Sequence, residues 1–113
     1  MSGINFERVE YTQLNSRQKE NYNFHKLAAK LADYGFTSIR LSDDWQGADF
    51  IAVHIDGLTT LNVQLKSRLS FSKIYIGKNL YIGFPSQGHW YLYPHDELLE
   101  HFLRTSNIEN TSS

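Results

Sequence analysis

Two stretches of the chain carry residue types that can bind a metal ion and act on a phosphate. Asp49 lies within an otherwise apolar run, and Gln64 and Lys66 flank Leu65 in a later run. A hard cation such as Mg²⁺ prefers oxygen ligands, which the Asp49 carboxylate, the Gln64 side-chain oxygen and the Leu65 backbone carbonyl can supply. The cation would polarise a phosphate oxygen and acidify a water molecule, while Lys66 offsets developing negative charge. The spacing therefore favours hydrolysis at a phosphate.

A third candidate acid, Glu20, belongs to a helical pattern. Asn15 and Ser16 offer a helix N-cap, and Gly35 lies where a left-handed C-cap is expected, so we predict a helix over residues 16–34. Glu20 precedes the first residue of the apolar stripe by four positions, so its carboxylate is expected along the inner face. The stripe consists of Phe24, Leu27, Ala28, Leu31 and Ala32.

Beyond this helix the apolar period becomes that of strands. We predict strands at 36–41, 48–55 and 59–68, a polar loop at 42–47, and a hairpin turn at Asp56-Gly57. Trp45, in the polar loop, is expected to cover the core because tryptophan is highly buried on average. The hairpin would bring the Asp49 strand beside the strand of Gln64 and Lys66. The polar face of that second strand comprises Asn62, Gln64, Lys66 and Arg68.

The remaining chain predicts more strands and a closing helix. Strands are expected at 73–76, 80–84 and 89–93, a helix at 95–104, and a disordered polar tail at 105–113. Strands flanked by helices indicate an α+β fold, with a mixed or antiparallel sheet, in a single domain spanning residues 1–104.

The site residues and the element order together resemble the PD-(D/E)xK nuclease superfamily, over about residues 15–68. Asp49 matches the strand acid of that family, Gln64-Leu65-Lys66 looks like its (D/E)xK half in a Gln-x-Lys form, and Glu20 matches the acid that many members carry on the first helix. The sequence departs from the family at Ala48, where the family has proline, and at Gln64, which replaces an acid.

The resemblance implies a metal-dependent endonuclease that hydrolyses phosphodiester bonds in DNA. Asp49, Gln64, Lys66 and Glu20 would be catalytic, and Mg²⁺ or Mn²⁺ would be bound by Asp49, Gln64, Glu20 and the Leu65 carbonyl. The resemblance also implies a homodimer, and it favours DNA over RNA as the substrate. Two alternatives stay open. A catalytically inactive nuclease-fold module could bind nucleic acid or a protein partner, and the polar residues could merely form a solvated strand face.

Local charge agrees in sign with nucleic-acid binding. Between Gly57 and His95 there are four cations and no acid, interleaved with aromatic residues suited to base stacking. We predict phosphate contacts from Arg68, Lys73 and Lys78. The aromatic residues are Phe71, Tyr75, Tyr81, Phe84, Trp90, Tyr91 and Tyr93.

Composition excludes several other classes of protein. The 113 residues fit one domain, and 11 Lys+Arg against 12 Asp+Glu give a net charge of −1, so no global field attracts polyanions. The absence of cysteine excludes disulfides, thiolate zinc sites and a cysteine nucleophile. No apolar run is long enough to span a membrane or to form a leader, so a cytoplasmic protein without a membrane partner is expected.

Overall fold

A helix packed on a five-stranded mixed sheet dominates the chain, and the computed structural model describes residues 3–67 and 73–106. The predicted α+β fold is confirmed, with a helix before the sheet and another after it. In chain order the elements are a 3₁₀ helix Tyr11–Gln13, α1 Ser16–Ala32, β1 Phe36–Trp45, β2 Ala48–His54, β3 Thr60–Leu65, a second 3₁₀ helix Lys73–Tyr75, β4 Leu80–Ser86, β5 His89–Pro94 and α2 His95–Ser106.

The sheet consists of two antiparallel halves joined by a parallel pair. Its spatial order is β1-β2-β3-β4-β5, and β3 pairs with β4 in parallel, with Gln64 opposite Ile82. The pairs β1–β2, β2–β3 and β4–β5 are antiparallel. A parallel pair needs a crossover that returns the chain to the same end of the sheet, so the segment 66–79 connects the halves.

Helix α1 begins where the sequence predicts. The Asn15 side chain accepts a hydrogen bond from the Gln18 N–H at 2.8 Å, and the Gln18 side chain accepts one from the Asn15 N–H at 2.9 Å. The helix ends at Ala32, two residues earlier than predicted, because the N–H groups of Tyr34 and Gly35 bond the carbonyls three residues back.

The core lies between α1 and the middle of the sheet. The Phe24 ring meets the Phe50 ring edge-on, with centroids 5.0 Å apart. Gly83 on β4 lets Leu27 approach, because a Cβ there would overlap the Leu27 Cδ2. The buried residues of this cluster are Phe24, Leu27, Leu31, Phe50, Ala52 and Val63.

The predicted loop at 42–47 is wrong. Strand β1 continues to Trp45, and a two-residue turn at Gln46 and Gly47, with φ of 52° and 92°, leads into β2. Polar residues are tolerated there because β1 is an edge strand of the sheet. For the same reason Trp45 does not cover the core, since 60% of its surface is exposed.

The predicted strand at 73–76 is also wrong, because Lys73–Tyr75 is a 3₁₀ helix. This segment lies in the crossover between two adjacent parallel strands, where no place for another strand exists between them. The third strand ends at Leu65 instead of residue 68, and the predicted tail at 105–113 begins inside α2. Residues 107–113 lie outside the described part of the chain.

Candidate functional site

Asp49 is fixed at the point where β2 and β3 stop pairing. The paired part of the two strands runs from the pair Val53–Thr60 to the pair Phe50–Val63. One step beyond it, the Asp49 Oδ2 accepts a hydrogen bond from the Leu65 N–H at 2.7 Å. The carboxylate thus takes the place of a backbone acceptor on β2. In a strand, one residue directs its N–H and its carbonyl to the same neighbour, so the Leu65 carbonyl is directed towards β2 as well.

Asp49, Glu20 and Lys66 line one cavity of about 410 Å³. Glu20 is solvent-exposed on α1, one turn before Phe24, and Lys66 follows the last residue of β3. Asp49, Glu20 and Arg40 also line a neighbouring cavity of about 500 Å³. The fold therefore brings together two predicted acids and the predicted lysine. The other residues lining the first cavity are Tyr11, Ser16, Lys19, Asn23, Arg40, Leu65 and Ser67.

Gln64 does not line this cavity. Its side chain is only 7% exposed, and by the alternation of strand residues it lies on the face of β3 opposite to Val63 and Leu65. There it lies beside Ile82, its register partner, which is fully buried. Gln64 is thus the one predicted catalytic side chain that does not line the cavity shared by Glu20, Asp49 and Lys66.

The oxygen donors that remain suit a hard cation. Two carboxylates, from Glu20 and Asp49, and the backbone of Leu65 lie along the cavity wall. Mg²⁺ is commonly held by one or two carboxylates, with waters and substrate phosphates completing its octahedron. Within residues 3–67 and 73–106, no group of three or more His, Cys, Asp or Glu side chains forms a protein-only metal cage. The donor set therefore fits a cation that a phosphate helps to hold.

Two cations that the sequence analysis did not select also line the cavity. The Arg40 guanidinium lies 5.2 Å from the centre of the Phe24 ring and donates to the Asn21 side-chain oxygen. The Lys19 Nζ lies 5.3 Å from the centre of the Tyr11 ring. The sequence does contain a signal for Arg40, because it is a charged residue between Ile39 and Leu41 in a predicted strand.

The predicted phosphate contact at Lys78 does not line this cavity. Lys78 is exposed in the turn before β4 and lines neither of the two cavities. Lys73 begins the second 3₁₀ helix. Arg68 lies outside the described residues, as does Phe71. The cations beside the candidate acids are instead Lys19, Arg40 and Lys66.

The aromatic residues predicted to stack on bases have different positions. Tyr81 and Trp90 pack against the core cluster, while the Tyr75 ring lies 6.2 Å from the ring of buried His95. Phe84, Tyr91 and Tyr93 form a cluster of nearly parallel rings on β4 and β5, with centroids 5.6 to 6.3 Å apart. Most of these rings therefore have partners within the sheet.

Two carboxyl groups with lowered pKa values lie away from the cavity and have structural roles. The N–H groups of Thr59 and Leu58 and the Thr59 hydroxyl all donate to Asp56 at the hairpin turn, and this lowers its pKa to about 2. At the start of α2, the hydrogen bond with the His95 ring, and then the Gly77 N–H, lower the pKa of Asp96.

No protein-family model matches the chain, and neither a curated protein nor a solved structure is significantly similar to it. Among the described helices, none combines the length and the apolar character needed to cross a bilayer. Function is therefore inferred from the geometry of the cavity.

Proposed function

We propose that the chain is a metal-dependent endonuclease that hydrolyses phosphodiester bonds in DNA, related to the PD-(D/E)xK enzymes. The observation that carries the proposal is the convergence of Glu20, Asp49 and Lys66, from three separate elements, on one cavity of about 410 Å³. Phosphate hydrolysis needs acidic residues that could hold a metal ion and a cationic residue that could offset negative charge.

Each of these residues has a distinct task in the proposed reaction. Glu20, Asp49 and the Leu65 carbonyl would hold Mg²⁺ or Mn²⁺, which when bound supplies Lewis acidity and lowers the pKa of water. Lys66 orients the attacking water or stabilises negative charge that develops on the phosphate. Arg40 presents a planar donor array that suits phosphate oxygens, and its contact with the Phe24 ring fixes its position.

The resemblance supports DNA as the substrate ahead of RNA. It also supports a homodimer, because a site of this size acts on one strand and cleavage of two strands needs a second copy. The lack of cysteine supports a cytoplasmic location. Sedimentation equilibrium with and without DNA tests the dimer, since a species of 13.1 kDa under both conditions would exclude it.

One observation favours a second candidate function, that of a nucleic-acid-binding module without hydrolytic activity. Gln64 neither supplies a negative charge nor lines the cavity. Among the described residues that line the cavity, three cations, Lys19, Arg40 and Lys66, then outnumber the two carboxylates. Such a surface binds phosphate groups whether or not it cleaves them.

Cleavage assays distinguish the two functions. Labelled single-stranded, duplex and branched DNA, and RNA, would be incubated with Mg²⁺ or Mn²⁺ and either the wild type or Asp49→Asn. The nuclease proposal expects cleavage that Asp49→Asn abolishes and that Asp33→Asn, a matched change just after α1, leaves intact. DNA binding without cleavage of any substrate would favour the binding module instead.

A further inference from the structure

A second cavity of about 510 Å³ adjoins the Asp49 cavity. Tyr11, Asn23 and Ser67 line both spaces, so the two are neighbours, and together we call them the groove. We call the second space the flanking cavity. It lies between α1, which contributes Lys26 and Lys30, and the β4–β5 hairpin, so it requires both halves of the sheet.

The flanking cavity differs from the Asp49 cavity in charge. Lys26 and Lys30 are charged residues that line it, and no described residue of its wall is acidic. The Asp49 cavity, in contrast, combines cations with Glu20 and Asp49. The flanking cavity therefore suits a polyanion and lacks the carboxylates that would bind a cation.

Aromatic rings accompany these lysines. Tyr22 and Tyr11 meet edge-on with centroids 5.3 Å apart, and the Asn23 side chain donates to the Tyr11 hydroxyl at 3.1 Å. The Lys26 Nζ lies 5.2 Å from the centre of the Tyr22 ring. Trp90 lines the cavity from the opposite side and packs against the core. Exposed rings interleaved with lysines are the arrangement that stacks unpaired bases and contacts the connecting phosphates.

We propose that the flanking cavity binds unpaired nucleotides of the strand whose phosphate is held at Asp49. The location of that phosphate rests on the proposed function. In a duplex the faces of the bases are already stacked on one another, so Tyr22 and Trp90 can stack only on bases that are not paired. The substrate is therefore single-stranded, or is a duplex that carries a single-stranded segment next to the site of cleavage.

Trp90 reports on this binding directly. The chain has two tryptophans, and Trp45 is exposed in the β1–β2 hairpin away from the groove, so Trp45→Phe leaves Trp90 as the single tryptophan. An oligo(dT) of about 12 nucleotides, titrated without divalent metal, is expected to quench Trp90 emission. A blunt duplex of equal length should bind at least about tenfold more weakly in the same titration.

Matched variants assign the contacts. Tyr22→Ala, at a ring that is 41% exposed, should weaken oligo(dT) binding at least about fivefold, while Phe6→Ala, at a ring that is 84% exposed and lines neither cavity, should not. Lys26→Gln and Lys30→Gln should each reduce the salt slope by about 0.7, and Arg8→Gln, at an exposed cation that lines neither cavity, should leave it unchanged. Tighter binding of blunt duplex, or equal effects of Tyr22→Ala and Phe6→Ala, would overturn the inference.

The failure of this inference and that of the proposed function are distinguishable. If Asp49→Asn abolishes cleavage but Tyr22→Ala and Lys26→Gln leave oligo(dT) binding intact, the nuclease stands and the flanking cavity does not bind the strand. If the wild type cleaves nothing while Trp90 quenching still depends on Tyr22 and Lys26, the binding site stands and the nuclease does not.

Discussion

The Asp49 carboxylate accepts the Leu65 N–H at 2.7 Å, one residue before Lys66. A side chain of β2 thus completes the hydrogen bonding of β3 where the backbone ladder between the two strands has ended. The Lys66 N–H donates to the Gly83 carbonyl at 2.9 Å on the other side of β3. The N–H groups of Leu65 and Lys66 are therefore bonded to opposite neighbouring strands, and the Asp49 carboxylate is fixed beside Lys66.

Asp49 is expected to have separable roles in stability and in metal binding. Asp49→Ala leaves the part-buried Leu65 N–H without its acceptor and should lower the free energy of unfolding by about 1–3 kcal/mol. Asp49→Asn retains an acceptor oxygen and should cost less, yet it should abolish the rise in Tm that we expect Mg²⁺ or Mn²⁺ to cause in the wild type. Urea unfolding and thermal scans at several metal concentrations measure the two effects. An equal metal-induced shift in the wild type and Asp49→Asn would contradict the assignment.

Lys66 is expected to affect cleavage more than binding. Lys66→Ala removes a charge from the proposed phosphate site and should reduce the single-turnover cleavage rate by about 10²-fold or more. The dissociation constant for DNA should change by only a few-fold, because Lys19 and Arg40 line the same cavity. Arg8→Ala, at an exposed position outside the cavity, serves as the control for loss of a cation. A loss of affinity that accounts for the whole loss of rate would identify Lys66 as a binding residue only.

Asp56 should make the hairpin turn sensitive to acid. Hydrogen bonds from Thr59 and Leu58 lower its folded-state pKa from an ordinary 3.8 to about 2. The unfolded chain therefore binds more protons between these values, so this contribution to stability is present above about pH 4 and is lost as the pH falls towards 2. The Tm of Asp56→Asn should lie below that of the wild type at neutral pH, and the difference should shrink over this range. A difference that stays constant between pH 5 and pH 2 would contradict the assignment.

Gly83 should be intolerant of any side chain. A Cβ at this position would overlap the Leu27 Cδ2, and Leu27 is buried in the core and cannot move aside. Gly83→Ala is expected to cost about 1–3 kcal/mol of unfolding free energy by overpacking. Leu27→Ala alone should cost about 2–5 kcal/mol, and the double variant should cost less than the sum because each change relieves the other. If urea unfolding shows that the losses of unfolding free energy from the two single variants are strictly additive in the double variant, the two residues do not interact.

Local rules predicted most of the elements but only part of the site. The Asn15 cap and the apolar stripe located α1, and the spacing before Phe24 brought Glu20 to the cavity. Alternation along a strand predicted Gln64 and Lys66 on one face, but β3 ends at Leu65, and of the two residues Lys66 alone lines the cavity.

Other features of the site depend on contacts between elements. Arg40 reaches the cavity from an edge strand whose pairing with β2 becomes irregular after that residue. Lys19 and Tyr11 meet because a short 3₁₀ helix precedes α1. Neither relationship follows from the periodicity of a single segment, so a sequence alone does not reveal them.

Because β3 pairs with β4 in parallel, we expect the two cavities of the groove to form at different stages of folding. Every described residue that lines the Asp49 cavity lies between Tyr11 and Ser67, whereas the flanking cavity also needs the segment from Pro85 to Trp90. Adjacent antiparallel strands with tight turns form from local contacts, while the parallel pair must first close the loop of residues 66–79. The folding chain would therefore assemble the Asp49 cavity first. The flanking cavity, where we propose that unpaired nucleotides bind, would form only when the β4–β5 hairpin docks.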